Sequence, residues 1–288
     1  MSNTFNDLLE SGAHFGHLKR KWNPAMAPYI YAEKNGIHII DLNKTVAKID
    51  EAAAALKQIA RSGKKILFVA TKKQAKDIVA EKVKAVGMPY VTERWPGGML
   101  TNFATIRKAV RKMSQIDKMA TDGTFDNISK KEKLQISRER AKLETNLGSV
   151  ADLTRLPSAL FIVDITKEHI AVAEAKRLGI PTFAIVDTNS NPNFVDYAIP
   201  ANDDASSSIA YIVDLMCKSI NEGLGDRKMD KEAMSAEEKE NKNSKEEAEA
   251  LAAGLNIKGA KNDDDENSGA STRKGTSGGA RKRTTAKK

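Results

Sequence analysis

Ile66-Leu67-Phe68-Val69-Ala70-Thr71-Lys72-Lys73-Gln74 is the stretch that decides the fold class. Its five apolar residues do not alternate with polar ones, so they read as a strand covered on both faces. Thr71 follows where a helix cap belongs, and the helical pattern behind it runs to Gly87, whose glycine ends it. A further strand, around Tyr90, begins at once. Strand, helix and strand in succession are the signature of a parallel sheet with a helical crossover.

The same alternation extends both ways. Ile37-His38-Ile39-Ile40-Asp41-Leu42 reads as a strand, and Asn43 as the cap of a helix with Val46, Ile49, Ala53, Leu56 and Ile59 on one face. Later come a strand over Ala159–Val163, a helix from Thr166 to Leu178 stopped by Gly179, and a strand over Thr182–Val186. A short strand near Tyr197-Ala198-Ile199 precedes an amphipathic helix from about Ser206 to Glu222. The expected fold is α/β: a mostly parallel sheet flanked by helices, a Rossmann- or flavodoxin-like sandwich.

One segment breaks the pattern. Ile106, Val110 and Met113, then Ile136, Leu143, Leu147 and Val150, form two thin apolar stripes separated by the turn sequence Thr121–Asn127. Ser129 and Glu132 are spaced as a capping box for the second stripe. Residues 104–148 are therefore predicted to form an inserted antiparallel hairpin of coiled-coil type, projecting from the sheet domain. It carries 11 basic and 6 acidic side chains.

Composition shifts after Gly225, where Lys, Glu, Ser, Gly and Asp take over. Residues 1–225 are expected to be the α/β domain and 226–288 a charged, disordered tail, helical at most transiently around Glu246–Leu251. The last 16 residues hold seven Lys or Arg and no acid. The formal charge is +9, and residues 1–225, with 32 basic and 25 acidic side chains, supply +7 of it. A basic body favours a polyanionic partner without naming one. Cys217 is the sole cysteine, which excludes an intrachain disulfide or a Cys-rich zinc site. The first residues show no signal-peptide pattern and no apolar run nears the ~20 residues of a membrane span, so a soluble cytoplasmic protein is expected.

Catalytic patterns are wanting. No G-x-G-x-x-G follows a strand, and Ser62-Gly63-Lys64-Lys65 precedes a strand where a P-loop would follow one. Thr71-Lys72-Lys73-Gln74 stands at a strand-to-helix junction and could hold a single phosphate, as of an RNA backbone, without the glycines that wrap a mononucleotide. His14 and His17, three apart, would share a helix face, yet no further ligand is spaced with them, so packing is the simpler role. Asp164 and Asp187 close their strands, each followed by a threonine (Thr166, Thr188), which points to turn formation. Cys217 falls on the apolar side of the last helix. No catalytic residue, metal or cofactor is expected.

Several motifs together resemble one family. Gly12-Ala13-His14-Phe15-Gly16-His17, Trp22-Asn23-Pro24, Tyr29-Ile30-Tyr31, Ile40-Asp41-Leu42, Phe68–Ala75 and Arg94-Trp95-Pro96-Gly97-Gly98-Met99-Leu100-Thr101-Asn102-Phe103 are similar to the bacterial small-subunit ribosomal proteins of the S-two family. Pro157, Phe161–Asp164, Gly179-Ile180-Pro181, Asp187–Pro192 and Tyr197–Ala205 continue the resemblance in family order, over about residues 1–225. The resemblance implies a non-catalytic, ribosome-bound constituent of the small subunit. It would contact small-subunit ribosomal RNA and neighbouring ribosomal proteins and help to hold the messenger-binding protein S-one, with no membrane and no small-molecule substrate.

Residue types suggest where RNA would be met. Lys19, Arg20, Lys21 and Trp22 join cations to an aromatic ring, and Arg94 and Trp95 repeat the pairing beside Gly97 and Gly98, which allow close backbone approach. Lys72 and Lys73 sit at a helix start, and Arg107, Lys108, Arg111 and Lys112 form a stripe on the hairpin. Each tryptophan serves either RNA stacking or the packing of its own loop, and the stripe is either an RNA face or a solvated one. Two other classes compete: a nucleotide- or sugar-phosphate-binding enzyme with a pocket at Thr71, Asp164 and Asp187, and a free-standing RNA-binding adaptor.

Overall fold

Strand order in the main sheet follows from its crossovers. In the computed structural model, which describes residues 2–122 and 129–259, β4 (Ile66–Val69), β5 (Tyr90–Val91), β6 (Ala159–Val163), β7 (Thr182–Val186) and β8 (Tyr197–Pro200) are all parallel, in the order β5-β4-β6-β7-β8. The chain steps from β4 to β5 on one side, then returns past β4 to add β6, β7 and β8 on the other. The winding therefore reverses between β4 and β6.

Both faces of this sheet are covered, which is why its strands read as unbroken apolar runs. Phe68, Phe161 and Phe183 point to one face, packed by α2 (Leu42–Arg61), α3 (Lys73–Val86) and the first part of α7 (Ser206–Gly259). Leu67, Val69, Leu160, Ile162 and Ala184 point to the other, packed by α6 (His169–Leu178), the Trp95–Leu100 loop and the base of the inserted helices. Those are α4 (Phe103–Thr121) and α5 (Lys130–Leu147). They pack on each other through Asp117 and Lys112 of α4, paired with Arg140 and Glu139 of α5. Val110 and Leu147 at their base belong to the sheet's core, so the insertion does not simply project from it. Ser129 caps α5, accepting from the Glu132 N–H. The predicted turn over Thr121–Asn127 lies, from residue 123 on, outside the described residues.

The N-terminal region departs from the sequence reading. Ile37–Ile40 is not part of the parallel sheet: as β3 it is the middle strand of a small antiparallel sheet, between β1 (Phe15–Leu18) and β2 (Ile30–Lys34). β2 and β3 are joined by the two-residue turn Asn35-Gly36, a connection that permits only antiparallel pairing, and β1 adds to the free edge of β3. A short helix, α1 (Ser2–Glu10), precedes it. Two caps also shift. Asp41, not Asn43, caps α2, accepting from the Asn43 N–H at 3.0 Å. Lys72 occupies the cap position of α3 without a side-chain bond, because the Thr71 hydroxyl is engaged elsewhere. Gly87 and Gly179 end α3 and α6 in the left-handed conformation, as their spacing predicts.

The last described helix, α7, is longer than the expected Ser206–Glu222. α7 does not stop near Glu222 but continues through the compositional boundary, since Asp226–Gly259 is rich in Ala, Glu and Lys and has no proline. The first compact unit ends at Lys231, and the second, residues 232–288, is helical up to Gly259. The basic end, 273–288, lies outside the described residues. No described helix is long and apolar enough to cross a membrane.

Candidate nucleic-acid interface

The point where strand order reverses is where open α/β sheets usually admit ligands. Here the protein's own side chains fill it. Lys72, after β4, places its ammonium 2.8 Å from Asp203, 2.7 Å from Asp204 and 3.6 Å from Asp164, and its side chain is only 12% exposed. Asp164, held at φ +66, also accepts from the Thr166 N–H and hydroxyl and the Lys167 N–H. Glu168, buried, accepts from the Thr71 N–H and hydroxyl. Lys72, a candidate phosphate contact by its sequence position, thus faces three carboxylates of the protein's own. Burial, and then the charges of Asp187 and Asp164, push the Asp203 carboxyl up to about 7 in spite of Lys72.

Beside this cluster, His17 on β1 meets partners far along the chain. Its Nδ1 lies 2.9 Å from Asp187 Oδ2, poorly aligned for a hydrogen bond, and its Nε2 3.4 Å from Asp204. The close approach of the Asp187 carboxylate outweighs burial and raises the imidazole's affinity for a proton. His17, Asp187 and Asp203 each offer a ligand atom within 4.8 Å of the others, and one carboxylate oxygen of each aspartate has no hydrogen-bond partner. One nitrogen and two oxygens so placed make a donor set that a small divalent cation could take. His14 and His17 do not share a helix face, because His17 lies on β1. The partners of His17 come from residues about 170 positions away, which no local spacing reveals.

Thr71, Asp164 and Asp187, where an enzyme's pocket would have to lie, each bond within the protein. A cavity of about 410 Å³ opens nearby, between the start of α6 and the 189–194 turn. None of those three residues lines it.

The Arg94–Phe103 loop is organised from within. Glu174 of α6, 8% exposed, accepts from the Trp95 indole N–H (3.2 Å) and the backbone N–H groups of Gly98 (2.7 Å), Leu100 (2.9 Å) and Thr101 (3.1 Å). The Thr101 hydroxyl adds a fifth bond at 3.2 Å. Burial alone would raise this carboxyl, but the donors prevail and hold it below the usual range. Trp95, 6% exposed, anchors the loop from within, its indole N–H held by Glu174. Gly98 stands at φ +85 with its N–H turned inward, so it serves the turn. Gly97 is exposed, and a Cβ there would meet nothing within 4 Å.

The remaining candidates divide by availability. Arg20, Lys21, Lys73, Arg94, Lys108 and Arg111 are exposed and form no ion pair among the described residues. Lys19 pairs with Glu33 at 2.8 Å, and Lys112 with Glu139 across the hairpin. Arg107 donates to the Leu153 carbonyl at 3.0 Å, so it ties α4 to the segment before β6. Trp22 is half-buried, its ring 5.1 Å from that of His38.

Comparison with known proteins meets this geometry. The family model described as ribosomal protein S2 matches residues 8–223. A Parabacteroides distasonis protein named small ribosomal subunit protein uS2 is 66% identical over 262 residues, 91% of this chain and 93% of its own length. Proteins of the same name from Porphyromonas gingivalis (72% over 228 residues; 79% of this chain, 81% of theirs) and Phocaeicola vulgatus (71% over 237; 82% and 85%) are similar throughout. With a family model spanning both the closed strand ends and the Glu174-held loop, this chain belongs to the ribosomal protein S2 family.

Proposed function

We propose that the protein is a structural, non-catalytic constituent of the small ribosomal subunit, binding ribosomal RNA and neighbouring ribosomal proteins. The family match over residues 8–223 carries this reading. The geometry agrees with it: the usual ligand site of the fold is occupied by Lys72 and its carboxylates, while unpaired cations stand on exposed loops and helices. Arg20, Lys21, Lys73, Arg94, Lys108 and Arg111 are the phosphate contacts in this reading. Such contacts fix position without reading sequence. Lys19 and Lys112 would have to leave their acidic partners first, and Trp22 stacks on RNA only with the face that His38 leaves free. The messenger-binding protein S-one is a further partner, supported by the resemblance of the motifs alone.

Gly97 gives a clean test, because a Cβ there meets nothing within 4 Å. Tagged Gly97→Leu is expressed beside the untagged protein, and ribosomes are fractionated on sucrose gradients in low and high salt. The variant is expected to melt like the parent and to be depleted from the small-subunit peak. Equal occupancy would remove the loop from the interface. Absence of the unmodified tagged protein from the salt-washed peak would favour a free-standing RNA-binding adaptor instead.

A further inference from the structure

Glu174 takes no part in the contacts proposed above, yet it is the most heavily bonded carboxylate of the described residues, with five donors converging on two oxygens. The three backbone donors come from Gly98, Leu100 and Thr101. Successive amides aimed at one point form the kind of concavity that elsewhere binds a phosphate. In this loop that concavity faces the sheet and already holds an anion of the protein's own. Met99 and Leu100, almost wholly buried, pack between the loop and the sheet, so the buried Leu100 amide and Trp95 indole N–H have no water to turn to if the carboxylate is lost. A buried donor left without a partner costs about 1–3 kcal/mol, and several share this acceptor. The turn cannot keep its path without Glu174.

That path determines what the loop shows outside. Arg94 and Gly97 are exposed on its outer side and border a cleft of about 610 Å³, whose far wall is Lys142, Leu143 and Leu147 of α5. We infer that Glu174 is a positioning residue for RNA binding: from beneath the loop it fixes Arg94 and Gly97 against the hairpin base. The loop then meets a phosphate through the Arg94 guanidinium and the bare backbone of Gly97, not through an amide nest. This inference rests on the RNA-binding reading, and its test must be able to fail separately.

The test is a double-mutant cycle on binding to small subunits depleted of this protein. Arg94→Ala removes one phosphate contact and is expected to weaken binding about tenfold and to lower the salt slope by about one. Glu174→Gln keeps the size of the side chain but sets an amide N–H₂ against N–H donors. It is expected to weaken binding by a similar factor, and the double variant should be no weaker than either single within about twofold. Combination with Lys108→Ala, on the hairpin, should multiply instead, which a general loss of stability would not distinguish from Arg94. Wild-type binding by Glu174→Gln, or effects that multiply with Arg94→Ala, would overturn the inference and leave the RNA reading standing. Wild-type binding by Arg94→Ala would overturn the role of this loop in RNA binding, and the inference with it. Should Glu174→Gln not fold, Gly98→Ala deforms the same turn, since it places a Cβ at φ +85 within 3.3 Å of the Asn102 Cβ, and the same couplings are expected.

Discussion

Replacing Lys72 by methionine tests whether the strand ends are closed by charge. The substitution keeps length and apolar stem but deletes the ammonium shared by Asp203, Asp204 and Asp164. Asp204 is half exposed and can be solvated, and Asp164 keeps its three turn donors. Asp203, with a fully buried side chain, loses most. Breaking a buried pair by removing one partner costs about 3–5 kcal/mol. Protonation caps the loss, and this gives the prediction its sign. With its folded carboxyl pushed up to about 7, Asp203 binds a proton more readily folded than unfolded. Its contribution is therefore greatest below the ordinary carboxyl value of about 4 and falls as pH rises towards 7. In the variant the folded value moves higher still, and stability goes on falling above 7 by up to about 1.4 kcal/mol per pH unit. At about pH 5.5 Asp203 is mostly protonated in both proteins, and the loss should shrink to about 1 kcal/mol. Urea unfolding followed by circular dichroism near these two pH values, about 5.5 and about 8, reads the difference. A chelator keeps any cation from replacing the lysine at Asp187 and Asp203. Equal losses at both pH values, or a loss under about 1 kcal/mol at the higher one, would refute the reasoning. Folded Lys72→Met should still bind depleted subunits like the parent, because the ammonium is not offered to RNA.

Two further outcomes follow from packing. Gly223→Ala puts a methyl group 2.3 Å from the Lys57 carbonyl oxygen, where α7 crosses α2, so overpacking of about 1–3 kcal/mol should exceed the roughly 1 kcal/mol gained in helix propensity. The melting temperature should fall, and an unchanged or higher one would mean that the helices do not approach so closely. Cys217, 6% exposed, has a thiol pushed up to about 11, chiefly by burial and then by the charge of Asp214. A maleimide should leave it unlabelled in the native protein and label it at the rate of unfolding in urea; rapid native labelling would contradict its place in the core.

The main sheet was legible because a parallel sheet makes its strands nearly uniform. Ile66–Val69, Ala159–Val163 and Thr182–Val186 are buried at every position, and no other local structure explains such short runs between capped helices. β1 and β2 were not legible, since their residues are mostly exposed or half-buried and their pairing depends on β3. The continuation of α7 was missed for another reason: high charge and low hydrophobicity suit a disordered chain and a solvated helix alike, and composition cannot separate them.

The site was legible only where an exposed side chain acts for itself. Arg94 and Gly97 keep the availability that their residue types suggest, but Lys72, Trp95 and Gly98 do not, because each is claimed by an acid distant in sequence. Asp203 stands 131 positions from Lys72, and Glu174 76 from Gly98. In the sequence Glu174 is one more charge on an amphipathic helix, and nothing nearby marks it. The two acids have opposite chemical settings. The Glu174 carboxylate is held ionised by its donors in spite of burial, whereas Asp203 is driven towards protonation by burial and then by like charges. What they share is that each takes up an arrangement that, in an enzyme of this fold class, would stand open to a ligand: cation and acids at the reversal of strand order, and a nest of loop amides. With the protein's own side chains in both, each arrangement serves to hold in position the loops and helices whose outer surface is offered to a partner.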